Sequence, residues 1–591
     1  MAIRPYINIL SIKLLPECFA PTNALWFTRG ENCCKDWIAN STAKGIAIAM
    51  APPRRFAIAQ KCPTLIPHFT GSKTMVAKKY PTIGLIEPPA TGLYDAEGKN
   101  WTSLYRNRSL ISKQVLIPDL QAGGFDARLV NLRDDSYSEE FGQVFWKGMN
   151  LRKTYVGGKI SALDPEAFDA WGVTVNFSQD RQVTCMVIEH LAKGGRPIVV
   201  GGSDALAEPH HYLKAGATVV VQDKSGAANW AIFDYVLGRP PREELTGVIF
   251  PDGKQYPRKT KAKSPDEWAL PSVEVARDCL GTLPNVQGLA PVGSLVADIG
   301  CDRTCDFCMT PTYGTGFRRM SPETALKWLE IQKQAGARSI NIGSDQFLAR
   351  VLFPGGREEI LEITNGARDM GITLMWPNGL ELRKTTLGAG RNYDSTDLRP
   401  DEELISALFA WDGKVGCPLA YIPAERPVFG REAYKKLLPW QEHCDLMKAV
   451  VRTGVPVVTY GIIIGLPDDD HEDLLRLEEA IADLVDELVE INPQLEFQTS
   501  CYSIIPLPGT PQSYNLRKSG MLQFEDTCLW GVWTTTSNTN HLTYAEVSDW
   551  QIRLSNIRRA PAEFTNYNGE YSAMVSTASS KDSQIALANL N

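Results

Sequence analysis

From about residue 80 the chain alternates short apolar runs with helical, amphipathic stretches. Thr82-Ile-Gly-Leu-Ile86 is one such run, closed by Glu87-Pro88-Pro89, and a helix then leads to Asp126-Ala-Arg-Leu-Val-Asn131. Trp171-Gly-Val-Thr-Val-Asn-Phe177 follows, then a helix ending at Leu191, then Pro197-Ile-Val-Val-Gly-Gly202 and Ala217-Thr-Val-Val-Val221. Runs of about five apolar residues separated by helices predict a parallel, doubly wound α/β sheet. Such sheets take ligands outside the carboxyl ends of their strands, here Glu87, Ser178, Gly201-Gly202 and Gln222-Asp223.

The rhythm breaks between 241 and 290, where Pro240-Pro241, a Pro251-Asp-Gly253 turn and the basic run Lys259 to Lys263 predict a linker. It resumes at Ser294-Leu-Val-Ala-Asp298 and continues through Ser339-Ile-Asn-Ile342, Thr373-Leu-Met375 and Val457-Val-Thr-Tyr-Gly-Ile-Ile-Ile464. Helices are expected from Ser321, with Pro322 in the first turn, and from about Asp468. About six such units fit an open or partial (β/α) barrel. The expected organisation is an irregular segment 1–78, a Rossmann-like domain 79–240, a linker 241–290, a partial (β/α)6 barrel 291–510 and a small C-terminal cap 511–591 with a disordered tail.

Composition adds mainly exclusions. At 591 residues, 43% hydrophobic and 22% charged, the chain is that of a globular protein of two or three domains. A net charge of −7 argues against nucleic acid as the main partner. No stretch reaches the roughly 18 apolar residues of a membrane span. Met1 to Lys13 lacks a small-residue cleavage site, so a cytoplasmic location is expected. The thirteen cysteines do not form a disulfide framework.

Three of them cluster as Cys301-Asp-Arg-Thr-Cys305-Asp-Phe-Cys308, in a loop after a predicted strand. Three thiolates in eight residues can ligate three irons of a cubane and leave a fourth iron open. The alternative is zinc, which wants four ligands or three plus water, usually from paired spacings that this loop lacks. In the upstream sheet no GxGxxG opens a helix, which argues against a dinucleotide. Cys33-Cys34 and Cys417 read as inert thiols, His68 as an ordinary histidine and His210-His211 as capping or surface residues. Tyr313 and Glu323 follow the cluster closely enough to contact it.

The CxxxCxxC spacing with Phe307 before its last cysteine resembles the radical S-adenosylmethionine (SAM) superfamily over about 290 to 510. The resemblance implies that Cys301, Cys305 and Cys308 hold a [4Fe-4S] cluster whose open iron chelates SAM. It implies that Phe307 lies against adenine and that Gly343-Ser344-Asp345, with Asp where the family has Glu, holds the methionine amino group. Asn378 falls where the family binds ribose, and Gly461-Ile-Ile-Ile-Gly465 resembles the family's Gly-x-Ile-x-Gly strand. Pro506 to Pro511 resembles the loop that ends the barrel in cobalamin-containing members.

A doubly wound domain ahead of such a barrel is similar to the cobalamin-binding class over about 80 to 290, through Val199-Val-Gly-Gly-Ser203, Gly216 to Val221 and the Gly247 to Gly253 hairpin. The resemblance implies cobalamin contacts at Glu87, Ser178, Gly201, Gly202, Ser203 and Asp223. The loop Glu87 to Asn100 holds no histidine, so cobalt is expected to lack a histidine ligand. Gln222-Asp-Lys-Ser-Gly226 departs from the family's Gly-Glu-Gly-Glu-like turn. The implied activity is methyl transfer from SAM, through methylcobalamin, to a carbon of a small-molecule or peptide substrate, with flavodoxin or ferredoxin as electron donor. Cyclisation or ring rearrangement with the same cofactors, and polar methylation of an aromatic carbon such as indole, are the alternatives. The sequence names no catalytic side chain.

Overall fold

The structure, a computed structural model, describes residues 80–104, 106–258, 261–282, 289–390, 396–427 and 438–559. The predicted irregular segment 1–78, with Cys33, Cys34 and His68, and the tail from 560 lie outside the described residues.

The first region carries β1 (Thr82–Glu87), β2 (Ala90–Tyr94), β3 (Asp126–Asn131), β4 (Tyr137–Trp146), β5 (Met149–Gly157), β6 (Ala170–Thr174), β7 (Ile198–Gly201), β8 (Val219–Val221), β9 (Val248–Ile249) and β10 (Gln255–Tyr256). Seven of these form one sheet in the order β10-β9-β8-β7-β6-β1-β3. The pairings from β3 to β8 are parallel, and the β9–β10 hairpin joins antiparallel at the edge. The parallel strands follow the flavodoxin-like winding, whose switch point lies where the chain turns back beside β1. Successive side chains feed opposite faces, as strand geometry dictates. Ile83, Leu85, Val199 and Val219 enter one core with the helices Ile111–Ala122 and Asn229–Val236. Ile86, Ile198, Val200 and Val220 enter the other with the helix Arg181–Ala192. Burial on both faces explains why the central strands β1, β6, β7 and β8 are mainly apolar.

Two features differ from expectation here. The predicted linker is not purely connecting chain, since β9 and β10 lie inside it and extend the sheet. The stretch between β1 and β6 also contains an antiparallel meander, in the order β2-β5-β4. Lys147 (φ 47°) and Gly148 (φ 76°) turn its hairpin, the geometry of a two-residue turn.

The second region carries β11 (Val292–Leu295), β12 (Asp298–Ile299), β13 (Arg318–Arg319), β14 (Ser339–Ile342), β15 (Thr373–Met375), β16 (Leu419–Glu425), β17 (Val457–Ile464), β18 (Glu496–Ser503) and β19 (Arg558–Arg559). β11, β14 and β15 pair in parallel, as do β16, β17 and β18, and a parallel Trp376–Ala420 bridge joins the two triplets. Six parallel strands thus form an open barrel wall, and β19 covers the outer edge of β18. Ser321 caps the helix Pro322–Gln334 and Asp470 the helix His471–Ile491, both through side-chain bonds to a backbone N–H three residues on.

The C-terminal residues bind both regions. Val547, Trp550 and Leu554 of the helix Tyr544–Ser555 enter the barrel core. Cys528, Leu529 and Trp530 pack with Leu93, Trp146 and Leu151 of the meander, and the Trp146 indole donates to the Thr535 carbonyl at 2.8 Å. Among the described residues no helix is long and apolar enough to cross a membrane.

Candidate active site

The cysteine loop hangs between β12 and β13, whose antiparallel pairing ties its two ends together. Gly300 has φ +82°, and a Cβ there would lie 2.2 Å from the Gly316 carbonyl, so the residue before Cys301 has to be glycine. Its N–H donates to Asp345 Oδ2 at 2.7 Å, which joins the start of the cysteine loop to the turn after β14. Within the loop Arg303 N–H reaches Cys301 Sγ at 3.4 Å, and Cys308 Sγ lies 3.2 Å from Thr310 Oγ1.

All three thiols face a single half-open cavity with about 1240 Å³ of atom-free space, its mouth included. Phe307, Asp345 and Asn378 line the same cavity, so these six sequence-predicted residues meet although their segments are 70 residues apart. Phe307 also packs against Leu466, Ile504 and Leu516. Asn378 donates to the Ser344 carbonyl at 3.0 Å, while Ser344 Oγ accepts from Ala297 N–H at 3.2 Å. Ser344 and Gly465 stand behind the wall and are not part of it. Gly465 (φ +79°) forms the turn after β17.

Burial pushes the Cys301 thiol well above its usual range. The protein alone therefore favours the neutral thiol, and the charge of a bound metal is what would draw off the proton. Three converging thiols beside acidic groups fit a three-cysteine cubane better than a closed zinc site, since among the described residues no fourth Cys or His lines the cavity.

Several lining residues carry no sequence signal. Arg303 inserts beside the cysteines and pairs with Glu381, which also accepts from Lys384 and, at 3.1 Å, from Gln346 Nε2. Lys384 reaches Asp302 at 3.2 Å, closing a buried network under the cysteine loop. Burial would raise the Glu381 carboxyl, but the charges of Lys384 and Arg303 outweigh it and hold the group down to about 2. Glu425 ends β16 in the left-handed region (φ 60°), directly after a bulge, and faces the cavity with Tyr421 and Tyr502. Left-handed backbone at a non-glycine residue costs of order 1–3 kcal/mol and collects at functional sites. Of the two neighbours named from sequence, Glu323 is 78% exposed and pairs with Lys327, away from the cavity. Tyr313 is buried and donates to Ser203 Oγ at 3.3 Å, linking the cysteine segment to the end of β7.

At the carboxyl edge of the first sheet the predicted residues stand at the strand ends, but each is held by the protein itself. Glu87 pairs with Lys113 at 2.9 Å, and Arg133 lies 3.7 Å away. Ser178 donates to Asp204, which the Arg181 guanidinium also grips at 2.7 Å on both oxygens. Asp223 accepts from Ser225 and Ala227 of its own turn. Ser203 Oγ receives Lys224 Nζ at 3.2 Å. Gly202 (φ +108°) is required by packing, since a Cβ would lie 2.0 Å from the Val175 carbonyl. Gly201 differs: the nearest atom to a Cβ there is Val221 Cβ at 3.9 Å, so its missing side chain leaves open space at the sheet edge. A bulky planar cofactor can approach the backbone at that point. Cys417 is buried, with its thiol pushed up to about 12 by burial, in line with an inert role.

Residues 299–481 match the Radical SAM superfamily, which implies an iron–sulfur cluster and SAM. No curated protein sequence matches the chain. Among solved structures it is similar to the cobalamin-dependent SAM radical enzyme OxsB with aqua-cobalamin and SAM bound, at 14% identity and a TM-score of 0.53, covering 80% of this chain and 67% of that one. The aqua-cobalamin form of OxsB gives 13% identity and a TM-score of 0.53 over 87% and 75% of the two chains. The methyltransferase TsrM from Kitasatospora setae, with cobalamin and a [4Fe-4S] cluster bound, gives 13% identity and 0.49 over 85% and 92%. The chain is thus identified as carrying a radical SAM domain within the fold shared with cobalamin-dependent radical SAM enzymes.

Proposed function

We propose that the chain is a cobalamin-dependent radical SAM methyltransferase acting on a carbon of a small-molecule or peptide substrate. The observation that carries this reading is the convergence of Cys301, Cys305 and Cys308 with Asp345 and Asn378 on one cavity, beside a doubly wound sheet. When bound, the cluster, SAM and cobalamin supply an electron, a carbon-radical source and a methyl carrier. The protein's own residues bind and orient. The three thiols hold the cluster, Asp345 accepts from the SAM amino group, Asn378 reaches its ribose and Phe307 covers its adenine. Gly201 and Ser203 border the corrin, with Glu87, Ser178, Gly202 and Asp223 shaping the strand ends around it. The Glu381 network keeps the charge of Arg303 fixed beneath the cluster, and Ile463, Ile505, Leu507 and Val532 exclude water from the opposite wall. The reducing electron comes from a flavodoxin- or ferredoxin-type donor.

The test is anaerobic reconstitution followed by iron, sulfide and cobalt analysis, then turnover with candidate substrates. Bound iron and cobalt, 5′-deoxyadenosine and a product heavier by one methylene are expected. A product of unchanged mass would replace methylation with rearrangement, and methylation without 5′-deoxyadenosine would indicate a polar route. Reconstituted protein lacking both metals would overturn the proposal.

A further inference from the structure

The geometry points to a second metal site, for one zinc-like divalent cation, formed by Glu208, His210 and His211 at the surface of the doubly wound region. None of the three lines the cysteine cavity. The chain has seven histidines. His190 meets the Leu163 carbonyl at 2.9 Å, His443 meets Tyr460 Oη at 2.7 Å, and His471 accepts from Trp550 at 2.9 Å. His210 and His211 instead turn their Nε2 atoms onto the same Glu208 oxygen, at 3.5 and 3.9 Å. The three donor atoms all lie within 4.8 Å of one another.

A tetrahedral ion about 2.0–2.1 Å from each donor sets donor–donor separations of about 3.4 Å. The two histidine–carboxylate distances already approach that value, and the partly exposed side chains need only small rotations to close it. The backbone beneath is rigid. Glu208 N–H bonds the Asp204 carbonyl at 2.9 Å, and Asp204 is buried under Arg181 and Tyr212. Pro209 starts the helix Pro209–Ala215, so the two histidines occupy a fixed first turn.

Glu208 and His211 also line an open recess with about 940 Å³ of atom-free space, whose walls include Cys185, Arg181 and the cap residues Arg517, Glu525 and Trp530. A three-ligand site there keeps its fourth position open to water. Two imidazoles and one carboxylate select zinc, nickel or copper over magnesium and calcium, which prefer all-oxygen shells.

The experiment uses holoenzyme already loaded with its cluster and cobalamin, so that the cysteine loop is not available to zinc. Zinc is added as the chloride, and retention is measured by equilibrium dialysis with elemental analysis of zinc, iron and cobalt. One zinc per chain is expected, with affinity falling at least tenfold in His210→Ala/His211→Ala and in Glu208→Gln, while iron and cobalt stay constant. Equal zinc binding by wild type and both variants, or no retained zinc in wild type, would overturn the inference. Unchanged iron and cobalt contents keep that failure distinct from failure of the cofactor assignment above.

Discussion

The cysteine cavity gathers its sequence-predicted residues around one hollow, whereas the carboxyl edge of the first sheet spends its own on ion pairs and turns within the fold. In the cavity Cys301, Cys305, Cys308, Phe307, Asp345 and Asn378 line one hollow, although Asp345 also accepts from Gly300 N–H and Asn378 donates to the Ser344 carbonyl. At the sheet edge Glu87, Ser178 and Asp223 are engaged by Lys113, Asp204 and Ser225. Polar residues at strand ends serve two purposes, closing the ends of the fold and meeting a ligand, and only side-chain geometry separates them. Gly201 and Gly202 show the same division between neighbours, one open and one packed against backbone.

The largest effect that tests this contrast is Cys301→Ala, which should remove the cluster. Reconstituted iron and SAM cleavage are expected to fall to background, whereas Ser178→Ala should leave both near wild type. Iron analysis and 5′-deoxyadenosine assay decide it.

Next is Glu381→Gln, which removes the charged carboxylate that buried Arg303 and Lys384 share. Breaking a buried ion pair costs about 3–5 kcal/mol, and the same loss is expected in anaerobic denaturant unfolding. The depressed carboxyl, at about 2, contributes stability above its unfolded value near 4.5 and loses it as pH falls toward 2. The gap between wild type and variant should therefore narrow on acidification.

Gly202→Ala forces a Cβ into the Val175 carbonyl at positive φ and should cost about 1–3 kcal/mol or more. Gly201→Ala should leave the unfolding midpoint unchanged and weaken cobalamin uptake, read from the corrin absorbance. Equal losses of stability in the two variants would erase the distinction.

The smallest change expected is in Asp345→Asn, where SAM binding should weaken about tenfold, the effect of about 1.4 kcal/mol. Calorimetric titration of SAM into the reconstituted protein measures it.

Much of the scaffold was legible because β1, β6, β7, β8, β14 and β17 are largely buried and read as apolar runs. β16 was hidden by Pro423, and β18 by its polar residues Gln498, Thr499, Ser500 and Ser503, all of them buried. Strand patterning reports burial among apolar neighbours, so a strand that buries polar side chains loses the signal. β4 and β5 escaped for a related reason, since exposed Glu139, Glu140 and Gln143 dilute their alternation.

Sequence alone determined that the three thiols of Cys301, Cys305 and Cys308 lie close together, because one loop of eight residues brings them there whatever the rest of the chain does. It also determined the alternation that makes two parallel-stranded regions. Tertiary structure alone decided that Arg303, Gln346, Glu381 and Lys384 form one buried charge network, and that Glu208, His210 and His211 converge while Glu323 turns to solvent. Charge networks depend on which distant strand ends are neighbours and on how far water is excluded between them, and neither quantity is written in local spacing.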